Sequence, residues 1–298
     1  MRSLVKTALA ATCMLALAAC GSTSAAGVQA RAKVGMTRAD YLALGDSVTF
    51  GYREPGTTPA PDYHDAASFV GYPELLGAQL HLRVTNAACP GETSSSLIDP
   101  LAQSLGCENE IGNAPGKPEG YRTEFPLHVH YRGAQLAFAL SFLRSHSDVR
   151  LVSLMIGAND VFLCAQSTHD RCEGAAERRA VTGTLSADVA RILSAIRGQA
   201  HYRGTLAIVN YYSLDYASAE DDLLSSTVNR TVDAAAKPFH VVIAEGYGAF
   251  ARAAARFGRD TCTAGLLTKL KVAGMCGIHP SRAGQLLLAR TLARAVAR

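Results

Sequence analysis

Five short apolar runs, at 41–44, 82–86, 150–156, 205–210 and 241–244, are separated by longer stretches whose apolar residues recur at helical spacing. That alternation constrains the fold more than any single residue does. Strands buried on both faces read as near-continuous apolar runs, whereas half-exposed strands alternate with period two. Helical periodicity is predicted over 73–82, 133–146, 178–196, 223–236, 248–257 and 282–297. In the third of these, Leu185, Val189, Ile192, Leu193 and Ile196 form one stripe. Ser281 is the expected N-cap of the last. Helices between consecutive buried strands act as crossovers for a parallel sheet. The expected fold is α/β, a three-layer α/β/α sandwich around a five-stranded parallel sheet. Residues 53–68 and 99–132 match neither pattern and are punctuated by Gly and Pro. Long loops at strand ends shape pockets, and Tyr52, Tyr63, Phe69 and Tyr72 are expected to help line one.

The first apolar run ends abruptly in Gly45-Asp46-Ser47. Ligands in open α/β sheets bind outside the carboxyl ends of the strands, so Ser47 is placed where a nucleophile belongs. Three later segments supply what a serine nucleophile needs. They are Pro90-Gly91-Glu92, Gly157-Ala158-Asn159-Asp160 and Ile278-His279-Pro280. Ester hydrolysis requires a hydroxyl, a base for its proton and donors for the developing oxyanion. His279 suits the base, because imidazole titrates near neutral pH. The backbone N–H groups of Ser47 and Gly91 and the side-chain amide of Asn159 suit the oxyanion hole. Asp46 and Asp160 are expected to bond backbone N–H groups of their own turns. His128 and His130 alternate as metal ligands do, but without a cysteine or carboxylate partner they read as surface histidines. A Gly-x-Ser-x-Gly elbow, a His-Glu-x-x-His motif and a Walker loop are all missing from the chain.

These four segments resemble the four sequence blocks of the SGNH (GDSL) hydrolase family. The family's initials fall on Ser47, Gly91, Asn159 and His279, in the family's order along the chain. The resemblance runs from Asp40 to the C-terminus. It implies a flavodoxin-like layout, hydrolysis of esters, thioesters and occasionally amides, and no cofactor. One departure concerns the acid that members usually carry three residues before the histidine, since that position here is Cys276. The chain therefore looks like secreted actinobacterial esterases that use a Ser–His dyad, with a backbone carbonyl orienting the imidazole. A dyad is the expectation, and the alternative is a triad completed by a carboxylate from elsewhere in the chain, such as Asp62 or Asp65. The expected activity is that of a serine ester hydrolase, like a carboxylesterase or lipase. It would act as a monomer on a small-molecule or lipid ester. An acyltransferase using the same serine and a lipoprotein that binds ligand without turnover are the alternatives.

The N-terminus reads as an address. A basic start with Arg2 and Lys6 precedes an apolar run, too short for a membrane span and typical of a signal peptide. The run ends in Leu17-Ala18-Ala19-Cys20, which is similar to a bacterial lipobox. Residues 1–19 are the expected lipoprotein-type signal peptide. Cys20 is the expected lipidated residue, and 20–38 a tether rich in small residues. A lipid chain would hold the 39–298 domain at the outer face of a membrane. Of the 298 residues about 260 then remain, enough for one α/β domain. The formal charge of +4 loses two with Arg2 and Lys6, which leaves no electrostatic footprint for nucleic acid. Besides the lipidated Cys20, six cysteines stay in the mature chain, an even number that suits disulfides in an exported protein. Nearest-neighbour pairs are expected: Cys89 with Cys107, Cys164 with Cys172, and Cys262 with Cys276. Each would staple a loop beside one of the segments above, as in secreted members of the family. A metal site is disfavoured because the mature chain holds no Cys-x-x-Cys pair.

Overall fold

The computed structural model describes residues 39–298. The predicted signal peptide, Cys20 and the tether lie outside the described residues. The chain runs β1 (Asp40–Gly45), α1 (Ser47–Phe50), α2 (Tyr72–Leu80), β2 (Arg83–Asn86), α3 (Ser94–Ile98), α4 (Tyr121–Glu124) and α5 (Gln135–Ser145). It continues through β3 (Val149–Met155), α6 (Ala158–Ser167), α7 (Ala175–Ser194), β4 (Thr205–Val209), α8 (Ala219–Ala236), β5 (Val242–Ala244) and α9 (Gly246–Ala254). It closes with β6 (Leu267–Lys269), β7 (Cys276–Pro280) and α10 (Arg282–Val296).

Strands β1 to β5 form the expected five-stranded parallel sheet, in the order β2-β1-β3-β4-β5. Helices α2 and α9 both pack against α10 on one side, and α3, α5, α6, α7 and α8 pack on the other. Strand β1 lies between two neighbours and two helical layers, so Tyr41, Leu42, Ala43 and Leu44 have no exposed surface. That is why it reads as an unbroken apolar run. Edge strand β2 has an exposed and two half-buried residues, and edge strand β5 is only partly covered. The one buried hydroxyl of β1, on Tyr41, is satisfied by Ser153 at 2.7 Å. The chain leaves β1 toward β2 and then returns past it to β3. This reversal opens a crevice outside the carboxyl ends of β1 and β3, the usual ligand site of such sheets.

The structure adds elements that periodicity did not reveal. Residues 276–280, which fall in none of the predicted helices or strands, are strand β7, paired antiparallel with β6. Three residues of β6 are too few to carry a pattern. Helices α1, α3 and α4 are one turn or slightly longer and equally illegible. Ser281 caps α10 as expected, accepting from the Gly284 N–H. No helix among the described residues is long and apolar enough to cross a membrane.

All three expected disulfides are present: Cys89–Cys107, Cys164–Cys172 and Cys262–Cys276. The first joins cysteines 18 residues apart in sequence and ties the segment after β2 to the long loop that follows α3. Replacing both Cys89 and Cys107 by serine is expected to destabilise the fold by about 3 kcal/mol, since an open loop restores entropy to the unfolded chain. Urea unfolding of the double variant beside the parent checks this. Unchanged stability would mean that packing alone holds the loop.

Candidate active site

Strand β1 stops at Gly45, and Asp46 caps the short helix α1 by accepting from the Val48 N–H at 2.9 Å. Ser47 is thereby the first residue of α1, at the carboxyl edge of the sheet. Strand β7 brings His279 to it from the far end of the chain. The Ser47 Oγ and His279 Nε2 atoms are 2.8 Å apart, within hydrogen-bond reach. Both side chains are about nine-tenths buried. The edge of Tyr52 packs on the His279 ring, with centroids 5.0 Å apart. The Tyr212 hydroxyl holds the Ile278 carbonyl at 2.6 Å, which fixes β7 beside the crevice.

Gly91 and Asn159 line the same cavity of about 470 Å³ as Ser47 and His279. All four residues singled out in the sequence are thus brought together. Gly91 adopts φ 82°, and a Cβ there would collide with the Leu105 carbonyl, so only glycine lets the two loops close this tightly. Asn159 lies in the first turn of α6. Its amide donates to the Glu92 carbonyl at 2.9 Å and makes a long 3.4 Å contact with Asp46 Oδ2. One amide hydrogen is committed to the Gly91 loop, and the other points to the weakly held side.

The neighbouring residues meet their expectations only in part. Asp46 serves its own turn but also accepts from the Tyr211 hydroxyl. Asp160 reaches across to the Ser94 N–H and hydroxyl instead, tying α6 to α3. Of the four aromatics expected at the pocket, Tyr52 lines it. Phe69 stacks on Tyr52, and Tyr63 packs edge-on against Tyr52, in an aromatic cluster that adjoins the cavity without either of them lining it. Tyr72 is fully buried under the sheet, bonded to Thr49 and Ser153. His130 is exposed as expected, whereas His128 is half-buried, with its Nε2 bonded to the Phe50 carbonyl and its ring packed on Phe50.

The largest correction concerns the group beside the imidazole. Among the described residues, the expected backbone carbonyl on Nδ1 is absent, and neither Asp62 nor Asp65 takes its place. Each of these serves a backbone N–H of its own loop. Cys276 is locked in its disulfide. The neighbour is Glu54, whose Oε1 lies 2.8 Å from His279 Nδ1. The approach is close, but its geometry does not qualify as a hydrogen bond, and among the described residues Nδ1 has no hydrogen-bond partner. Glu54 lies in the loop after α1, an uninformative Arg-Glu-Pro in the sequence.

The cavity wall is apolar on one side, with Val48, Phe162, Leu214, Leu224, Val228 and Ile278. Its mouth carries Glu110, Glu119 and Glu124, all exposed, and no lysine or arginine among the described residues lines it. A grouping of Cys89, Glu92 and Cys107 has the spacing of metal ligands, but its two sulfurs are bonded to each other and offer no thiolate.

Three carboxyls in or behind the cavity wall are buried. Burial pushes Glu92 from 4.5 to about 8, although the Ser96 hydroxyl and Gln135 amide pull the other way. Burial likewise raises Asp160 from 3.8 to about 7 and Asp46 from 3.8 to about 6, against their hydrogen-bond donors. An acid raised by folding binds protons more tightly in the folded state. Its contribution to stability is full below the unfolded value and is lost as pH rises toward the folded one. Unfolding free energy is therefore expected to fall between about pH 5 and pH 8, and Glu92→Gln to flatten that fall. Urea titrations of parent and variant at both ends of the window test it. Parallel pH dependence in the two proteins would show that Glu92 does not contribute.

The model of the GDSL-like lipase/acylhydrolase family matches residues 43–287. Among solved structures, the chain is similar to the lipase Lip_vut3 from a goat rumen metagenome, with a TM-score of 0.51 and 15% identity. That alignment covers 86% of this chain and 97% of the other. It is also similar to a single-residue variant of Axe2, an acetyl xylan esterase from Geobacillus stearothermophilus, with a TM-score of 0.50 and 18% identity. There the coverage is 87% of this chain and 94% of the other. At such identities the likeness is one of fold. No curated protein sequence matches the chain.

Proposed function

The chain belongs to the GDSL-like lipase/acylhydrolase family, and on that footing we propose that it hydrolyses carboxylic esters through an acyl-enzyme on Ser47. The observation that carries this reading is the 2.8 Å pairing of Ser47 Oγ with His279 Nε2 beside a cavity that also holds Gly91 and Asn159. His279 takes the Ser47 proton as the hydroxyl attacks the ester carbonyl. The oxyanion is held by the Ser47 and Gly91 N–H groups and by the Asn159 amide hydrogen that otherwise makes only the long contact with Asp46. The proton passes from His279 to the departing alcohol, and water repeats the sequence on the acyl-enzyme. The apolar wall formed by Phe162, Leu214, Leu224 and Val228 suits an acyl chain. The negative mouth suits a neutral ester better than an anionic one.

Intact mass after treatment with a fluorophosphonate tests the proposal, because only an activated serine is phosphonylated. One adduct on the parent chain and none on Ser47→Ala is the expected result. A folded parent that takes up no adduct would count against an activated Ser47 and would favour ligand binding without turnover.

A further inference from the structure

We propose that Glu54 is the positioning carboxylate of His279, and that Gly277 is the gap through which it reaches the imidazole. The inference rests on the reading of His279 as the base. Glu54 and His279 are 225 positions apart, yet the carboxylate is set in a cup made by β7 and its partner. Oε1 accepts from the His279 N–H at 2.9 Å and from the Ile278 N–H, while Oε2 accepts from the Thr268 hydroxyl at 2.6 Å. The same Oε1 faces Nδ1 at 2.8 Å. The loop bearing Glu54 is stitched to the end of β6 in the β6–β7 hairpin by two backbone bonds. Thr58 donates to the Lys269 carbonyl at 3.0 Å, and Lys271 donates to the Gly56 carbonyl at 2.8 Å.

Gly277 makes this approach possible. A Cβ on residue 277 would overlap the Cδ, Oε1 and Oε2 atoms of Glu54 together. Its backbone has no positive φ, so this position does not require glycine for conformational reasons. The missing side chain is what leaves room for the carboxylate. Glu54 is also kept ionised. Burial works against its charge, but the His279 imidazole and the Thr268 hydroxyl outweigh it and hold the carboxyl at about 2. When Ser47 gives its proton to Nε2, the imidazolium forms against a fixed negative charge. Glu54 remains ionised throughout and takes no proton.

The test compares the full chain with Glu54→Gln, Glu54→Ala, Gly277→Ala and the Glu54→Ala/Gly277→Ala double variant. Gln keeps an oxygen for the two β7 N–H groups, so the fold should persist, as thermal melting would verify. On a neutral p-nitrophenyl ester, Glu54→Gln is expected to lower kcat about 100-fold or more while KM stays within about threefold. Gly277→Ala should do the same by displacing the carboxylate. In the Glu54→Ala background, Gly277→Ala should cost nothing further, since the space is already vacant. Folded Glu54→Gln with kcat within about threefold of the parent, or a fully additive double variant, would overturn the proposal. A second readout needs no substrate, namely the downfield proton NMR signal of the His279 Nδ1–H. It should be present in the parent and lost or moved upfield in Glu54→Gln. An unchanged signal would overturn the proposal even if the parent hydrolysed no ester, a result that would count against the esterase reading instead.

Discussion

Ser47→Ala is expected to lower kcat/KM for ester hydrolysis by about 10⁴- to 10⁶-fold with no loss of stability. Its hydroxyl lies 2.8 Å from the His279 imidazole, and no other side chain among the described residues shares that placement at Nε2. Alanine fits the first position of α1, where the backbone, not the Ser47 side chain, serves the helix cap. His279→Ala should cost nearly as much, and the double variant little more than either single one, because nucleophile and base act as a unit. Steady-state kinetics on the three variants decides this. A folded Ser47→Ala protein with more than about one per cent of the parent rate would mean that hydrolysis proceeds elsewhere.

Asn159→Ala should lower kcat by about 100- to 1000-fold and leave KM close to the parent value, the signature of a donor that acts on the transition state. Its amide does two things at once. One hydrogen holds the Glu92 carbonyl at 2.9 Å, and with it the loop of Gly91. The other faces the cavity side, where Asp46 holds it only at 3.4 Å. Loss of the side chain therefore removes one oxyanion donor and loosens the segment that supplies another. A KM effect as large as the kcat effect would show that Asn159 binds substrate rather than the oxyanion.

The parallel sheet was legible in the residues because β1, β3 and β4 are buried on both faces, and full burial leaves an apolar run with no period-two interruption. The four site segments were legible for a related reason. Each sits at a strand end or loop with a backbone requirement, a glycine or a capping side chain, that leaves a mark in the sequence. Asp160 was misplaced because a carboxylate at a helix start serves its own turn as readily as a neighbour, and only the packing of α3 near α6 chose Ser94. Tyr72 and Phe69 were misplaced because an aromatic near a loop looks the same whether it faces a cavity or the sheet.

By itself the chain determined the layered α/β fold, which follows from local periodicity. The meeting of Ser47, Gly91, Asn159 and His279 was implied by the resemblance of four short segments to the family's blocks, and the nearest-neighbour disulfide pairs were expected with the support of that resemblance. The partner of His279 was decided only in three dimensions. The usual position for an acid holds Cys276, and nothing local marks Glu54, which lies 225 positions from the histidine it faces. Their contact depends on the loop after α1 being stitched to the β6–β7 hairpin and on the side chain that Gly277 lacks. Such a pairing is a property of closure between distant segments, and a one-dimensional pattern does not record it.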